Sequence, residues 1–279
     1  MSKVNLSNKK NKHFRTIIQI VFFTIVLLTS INHQISETGN GIPFVSKASL
    51  HALCPFGGVV SLYTFFTDGR FVQKIHESSF VMLSIVLFLS VLFGPVFCGW
   101  LCPLGSIQEW IGKIGKRIFK NKYNNFINNK YDKYLRFTRY IVLIWIVFVT
   151  AKTGLLKFSN IDPYYALFNF WTREVTMQAL IILGIVLTSA LFIERPWCKY
   201  ACPLGALLGL TSLFRIFKIR RNSKTCISCK KCDKICPMNI KISDKEVIKN
   251  HQCISCMQCT SEIACPIENT VSLKTKGGK

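Results

Sequence analysis

CISCKKCDKICP at residues 226–237 and CISCMQCTSEIACP at residues 253–266 hold eight of the thirteen cysteines in this chain. In the first run Cys226, Cys229 and Cys232 recur every three residues, and Cys236 precedes Pro237. Three thiolates at that interval wrap one iron-sulfur cubane, while the cysteine before proline reaches a neighbouring one. Two [4Fe-4S] clusters are therefore expected, with crossed ligands: Cys226, Cys229, Cys232 and Cys265 for one, Cys253, Cys256, Cys259 and Cys236 for the other. In the second run five residues, 260–264, separate Cys259 from Cys265. That lengthens a loop without removing a ligand. The alternatives are zinc, whose sites usually take separated pairs of ligands, and a disulfide framework, which reducing compartments do not keep.

The chain has 279 residues, room for two domains. Half of them are apolar and gather in blocks, so a single soluble core is not expected. A net charge of +23 raises nucleic acid as a partner. The lysines and arginines flank the apolar blocks instead, as they do in the cytoplasmic segments of multi-span membrane proteins. No basic strand interleaved with aromatics, no RNP-like run and no helix-turn-helix pattern is present, and nucleic acid is set aside.

Residues 1–15 carry Lys3, Lys9, Lys10, Lys12 and Arg15 with no acidic residue. The apolar run that follows, 16–35, has the ~20 residues needed to span a bilayer. It is longer than the apolar region of a signal peptide and lacks small residues before a cleavage site. It reads as an uncleaved first span with a cytoplasmic N-terminus. Segment 36–78 has three basic and three acidic residues and goes outside. Its stretch 59–66 is too short to span and reads as re-entrant or interfacial. Further spans are expected at about 79–97, 140–158 and 176–193. The loop from Trp100 to Arg139 has nine Lys or Arg against Glu109 and Asp132, so it is cytoplasmic, as is everything from Lys199 onward. The outer loop between the third and fourth spans holds Asp162, Pro163, Tyr164, Tyr165, Phe168, Phe170 and Trp171, aromatics suited to the membrane interface. An amphipathic segment at 206–219 is expected to lie along the inner surface.

CGWLCPLG at 98–105 recurs as CKYACPLG at 198–205, each at the cytoplasmic exit of an even-numbered span. The two copies read as parallel repeats related by an axis along the membrane normal. Pairing them brings Cys98, Cys102, Cys198 and Cys202 together as a third redox or metal site. It would hold a further cluster or a soft metal, since thiolates favour copper(I), zinc and iron-sulfur. Cysteines as small packing residues beside a helix-breaking proline are the alternative. Outside, Cys54 lacks a CxxxC partner and His51 is its nearest possible co-ligand, half a site at most. A structural turn or a contact with a partner or quinone headgroup is expected there.

With CGWLCP, CKYACP and the paired cysteine runs in view, nearly the whole chain resembles the membrane-bound polyferredoxins of the NapH and NosR type, with the copper-reducing CcoG type in the same superfamily. The cysteine runs themselves resemble two-cluster bacterial ferredoxins, among which the longer loop at 260–264 is known. The resemblance implies a mainly α fold: a four-span transmembrane bundle built as two parallel repeats, plus a C-terminal α+β two-cluster ferredoxin-like domain. The layout is a basic N-terminus at 1–15, a transmembrane domain at 16–221, the ferredoxin domain at 222–270 and a tail at 271–279. It also implies an electron-transfer component of a quinol dehydrogenase-like oxidoreductase in the plasma (inner) membrane, both termini cytoplasmic. Electrons would pass between a quinone or a cytoplasmic ferredoxin or flavodoxin and an extracytoplasmic reductase or flavoprotein. Lys230, Lys231 and Lys234 would offset cluster charge and dock an acidic partner. The NosR-type outer flavin domain and its threonine motif are absent. Rival readings are a copper-reducing or metal-handling protein, and a non-catalytic iron-sulfur assembly or regulatory protein. No CxxCH for covalent haem and no nucleotide-binding glycine run is present. His13 and His251 are expected on solvated surfaces.

Overall fold

The computed structural model describes residues 7–37, 77–153, 158, 161–170 and 175–275. His51, Cys54, Trp171 and the stretch 59–66 lie outside them. The apolar run behind Arg15 forms α1 (Ser7–Glu37). Next come α2 (Glu77–Phe93), a π-helical turn (Phe97–Leu101), α3 (Pro103–Phe119), α4 (Asn129–Leu135), α5 (Thr138–Thr153) and α6 (Pro163–Asn169). Then follow α7 (Met177–Ser189), α8 (Pro196–Tyr200), α9 (Pro203–Phe214), strand β1 (Lys218–Arg221), α10 (Lys231–Ile235) and strand β2 (Val271–Lys274).

Among the described residues one helical segment, Phe14–Asn32, is long and apolar enough by length and composition to cross a membrane. The helices at the other expected spans are shorter, with 17 residues in α2, 16 in α5 and 13 in α7. At 1.5 Å per residue the last is only ~20 Å long. Local backbone explains the first of these ends and the start of α8. Past α2 the chain turns at Gly94, φ +86°, and Pro95; past α7 it turns through Arg195, φ +53°, and Pro196. All four helices leave large apolar side chains exposed, among them Ile25 and Leu28 on α1, Ile85 and Phe88 on α2, Ile144 and Phe148 on α5, and Ile181 and Ile185 on α7.

The helices pack in corresponding pairs. The first half has α1 on α3 and on the π-helical turn; the second has α5 on α9 and on α8. Between the halves α2 meets α9, and α7 meets α3. The short α6, in the expected outer loop, folds back onto α1, α3 and α7. Phe168 is fully buried there rather than interfacial, and Tyr164 packs in a core with Leu104, Ala166 and Cys102. The amphipathic helix is α3, which buries Leu104, Gln108 and Glu109 and exposes Ile114 and Ile118. Its counterpart α9 is apolar throughout. The segment expected as one amphipathic helix over 206–219 instead ends its helix at Phe214, buries Arg215 and enters β1 at Lys218.

The ferredoxin-type unit is closed by β1 pairing antiparallel with β2, Ile219 opposite Leu273. The strand pair extends this unit to 218–274. One continuous apolar core runs from Val86 and Ile146 in the helices through Cys98 and Cys198 to Ile248, Cys253 and Val271.

A buried charge network ties α1, α3 and the α7–α8 turn together. Glu109 Oε2 lies 2.6 Å from Arg15 Nη2 and 2.6 Å from Arg195 Nη2. Both guanidiniums also donate to the π-helical turn, Arg15 to the Gly99 carbonyl at 3.0 Å and Arg195 to the Cys98 carbonyl at 2.5 Å. Burial alone would raise the Glu109 carboxyl, but Arg195 and then Arg15 hold it down at about 2. A carboxyl depressed in the folded state contributes stability that is full above its unfolded value and lost as pH falls toward 2. The network is therefore intact throughout the neutral range. Glu109→Ala leaves two buried guanidiniums without their counter-charge and should cost about 3–5 kcal/mol. Thermal unfolding of the detergent-solubilised holoprotein measures this, and an unchanged midpoint would show that the network does not hold the fold.

Candidate functional site

Each cysteine run carries two left-handed residues around its middle cysteine: Ser228 and Lys230 (φ 55° and 55°) beside Cys229, Ser255 and Met257 (φ 50° and 56°) beside Cys256. Such alternation turns successive amides inward and forms a concavity for an anion. Two cavities result. Cys226, Cys229, Cys232 and Cys265 line one; Cys236, Cys253, Cys256 and Cys259 line the other. Each has three cysteines of one run and the cysteine before proline of the other. Asp233 braces the fold between them, its Oδ1 accepting from the Ile242 amide at 2.6 Å and the Ser243 amide at 2.9 Å.

The surroundings differ. Around the first cavity Cys229, Ile227, Lys230, Lys231 and Lys234 are exposed. The Ser228 amide and then Arg221 lower the Cys226 thiol. The second cavity is walled by Ile219, Ile240, Ile242, Ile248 and Ile254 and faces the helical domain. Arg215, fully buried, donates from Nη1 to Ser255 Oγ at 2.9 Å and to Cys253 Sγ at 3.4 Å, and from Nη2 to the Ile248 carbonyl at 2.9 Å. None of these three partners is a carboxylate. A buried cation needs a negative partner, and a cluster with its thiolates supplies one.

The π-helical turn of the first CxxxCP motif presses on the second run. A Cβ on Gly99 would collide with the Ile254 carbonyl, and Trp100 Nε1 donates to the Ser255 carbonyl at 3.1 Å. The two CxxxCP motifs close alike: the Cys102 amide donates to the Phe97 carbonyl at 2.9 Å, and the Cys202 amide to the Trp197 carbonyl at 2.9 Å. Cys102 and Cys202 are the N-caps of α3 and α9, each with proline next, and the Gly205 amide donates to Cys202 Sγ at 3.3 Å. Cys98 and Cys198 are buried in one apolar core, and Cys102 and Cys202 pack against it. Burial, then neighbouring thiols, pushes Cys98, Cys198 and Cys202 up. Two helix N-termini and Arg195 supply the positive potential that a thiolate centre needs. Arg195 donates to the Cys98 and Gly99 carbonyls, and Gly99 in turn lies against Ile254 and Cys256 of the second run.

Several residues here carry no sequence signal of their own. His251 is not solvated: its Nδ1 is 2.7 Å from Tyr140 Oη and 2.9 Å from Arg139 Nη2, and its ring packs on Phe137. Burial, then Arg139, lowers it to about 4, so it is neutral. Asp132 accepts from Tyr200 Oη at 2.6 Å and pairs with Lys199 at 3.1 Å and with Arg136, anchoring the second motif. An arginine before proline at the end of an apolar run was the one hint of Arg195. Among the described residues no three His, Cys, Asp or Glu converge as they would on a single ion. The eight thiols of the two cysteine runs stand around cavities rather than around a point.

A family described as "4Fe-4S binding domain" matches residues 75–122 and 175–222, the two segments that carry CxxxCP. The chain is 29% identical to the Escherichia coli protein YccM, named for electron transport, over 85% of this chain and 67% of that protein. It is 33% identical to an uncharacterised protein of Methanocaldococcus jannaschii, over 83% and 91%. It is 30% identical to the ferredoxin-type protein NapH of Haemophilus influenzae, over 63% and 61%. No solved structure matches. Cysteine-lined cavities, a buried arginine on Cys253 Sγ and these relatives agree: the chain belongs to the NapH/NosR-type family of iron-sulfur electron-transport proteins and binds [4Fe-4S] clusters.

Proposed function

We propose that the protein is an integral membrane electron carrier in which three cysteine centres form one path. Cys226, Cys229, Cys232 and Cys265 would hold the outer [4Fe-4S] cluster, Cys236, Cys253, Cys256 and Cys259 the inner one. Cys98, Cys102, Cys198 and Cys202 would hold a third cluster or a soft metal. The observation that carries this reading is the order of contacts: an exposed centre beside lysines, an isoleucine-walled centre behind it, and the CxxxCP thiols beyond Gly99 and Arg195. When bound, such clusters take and give single electrons. The chain's own residues do the rest. Lys230, Lys231 and Lys234 present a positive face to an acidic ferredoxin or flavodoxin. The isoleucines exclude water, and Arg215 and Arg195 stabilise the more negative, reduced state.

The apolar belt on α1, α2, α5 and α7 supports four spans in the plasma membrane, and the corresponding helix pairs support two parallel repeats. A quinone and an extracytoplasmic reductase or flavoprotein are the proposed exchange partners. The two family matches on the CxxxCP segments favour a cluster there. Copper in place of iron would favour the metal-handling reading.

Iron and copper analysis of Cys98→Ser and Cys198→Ser tests the third centre. Loss of about four irons per chain is expected for a cluster, whereas unchanged metal content would remove the centre. For the crossed ligands, Cys236→Ser should alter the EPR signal of the cluster on Cys253, Cys256 and Cys259 and spare the other; the reverse result would refute the crossing. Arg215→Gln removes a charge and a donor to Cys253 Sγ. It should lower the inner cluster's midpoint potential by roughly 60–100 mV, or about 1.4–2.3 kcal/mol for one electron. An unmoved potential in redox titration would deny Arg215 that role.

A further inference from the structure

The largest cavity described has about 680 Å³ and opens between α1, α3 and the second cysteine run. That volume suits a drug-sized ring system. One wall is Cys256, which also lines the inner cluster cavity. Another is aromatic, with Phe14 and Trp100 edge to face at 6.5 Å. Polar groups reach in from Gln258, Lys116 and Glu194. Phe14 is 58% exposed and Ile17, on the same helix, 56%, so the mouth adjoins the apolar surface of α1.

Glu194 is the unusual group. Glu109, in the same wall, is fixed by Arg15 and Arg195 and is not available for proton exchange. Glu194 has no such clamp among the described residues. Burial, then the Glu109 charge, pushes its carboxyl up to about 7, against the pull of Lys116, Arg195 and Arg15. The wall thus combines a one-electron centre, a carboxyl that exchanges protons near neutrality and an apolar exit. The proton and electron needs of a quinone ring match all three.

We propose that this cavity seats the ring of a membrane-soluble quinone and that Glu194 exchanges its protons with the cytoplasmic side. The proposal rests on the electron-carrier reading above. It moves the quinone from the outer segment around His51 and Cys54, where a headgroup or partner contact was expected, to the inner face. Oxidising one hydroquinone to quinone breaks two O–H bonds and releases two protons and two electrons. The protons go in succession to the Glu194 carboxylate and on to solvent; the electrons go one at a time to the iron-sulfur centres. Reduction of quinone runs the same transfers backwards. Lys116 and Gln258 are placed to hold the ring oxygens.

The test uses holoprotein in nanodiscs with menadione, a quinone ring without a tail. Oxidised wild type should bind it, read by quenching of tryptophan fluorescence. Ile263→Trp, which fills the cavity from an exposed wall position, should weaken binding about tenfold. Glu194→Gln removes the proton acceptor and is read at saturating menadiol. Cluster reduction by menadiol should slow roughly 100-fold in that variant, while dithionite reduces it at the wild-type rate. In wild type the menadiol rate should rise as pH passes about 7, because the carboxylate is the acceptor, and Glu194→Gln should lose that rise. No menadione binding while dithionite still reduces the clusters would overturn the cavity proposal alone. Binding of flavin mononucleotide in its place would do the same. Glu194→Gln indistinguishable from wild type with menadiol would overturn the role of Glu194. Clusters that neither reductant changes would overturn the electron-carrier reading itself.

Discussion

One carboxylate between two guanidiniums fixes how the apolar helices meet the cysteine-rich unit. Glu109 belongs to α3, Arg15 to α1 and Arg195 to the turn before α8, so three distant segments share one buried charge cluster. Two cations against one anion leave a surplus of one positive charge. The Cys98 and Gly99 carbonyls absorb part of it, and both are in the first CxxxCP motif. Gln258, in the second cysteine run, donates to the remaining side of Glu109 at 3.3 Å. The network thereby sets where the first motif and the second run sit relative to each other. A shift of any one segment would strand a buried charge, which costs far more than a lost surface pair.

The same surplus recurs around the other centres. Arg215 is fully buried on Cys253 Sγ, and Arg139 lies under Gly209, sharing His251 with Tyr140. His251 is neutral and offers no negative charge. Buried thiols are neutral when unliganded, since burial raises them, and become anionic only when they bind metal. Ligated cysteines would supply the negative charge that Arg215 and Arg139 do not find in a carboxylate among the described residues. Cluster insertion and close packing of this unit are linked, as metal binding and folding are in small metal domains.

The cysteine runs were legible because a metal centre dictates ligand spacing, and spacing is a property of sequence. The likeness of the two CxxxCP turns was legible too, since each motif stands where a proline starts the next helix. The charge network was not legible. A basic residue beside an apolar run has a sufficient local explanation in membrane topology, and the pairing of Arg15 with Glu109 spans 94 residues. His251 looked solvated for the same reason, sitting among lysines in sequence and against Phe137 and Tyr140 in space. Apolar runs showed where helices lie but not where they stop. Helix ends depend on Gly94 and Arg195 adopting positive φ, which hydropathy does not encode.

In a four-span arrangement the loop at 158–176 has a consequence for electron flow. Had it stayed outside, the full ~30 Å of hydrocarbon would separate the CxxxCP thiols from the outer surface. Instead α6 folds inward, held by Asp162 Oδ1 accepting from the Tyr164 amide at 3.0 Å and by Ser30 Oγ donating to the Phe168 carbonyl. Tyr164, Leu104, Trp197 and Cys102 then belong to one packed core. Irregular backbone at such depth is tolerated where protein buries it. In that arrangement the CxxxCP thiols would lie under a short helical cap rather than a full-length span, and the insulating layer on that side would be thinner than the apolar runs alone imply.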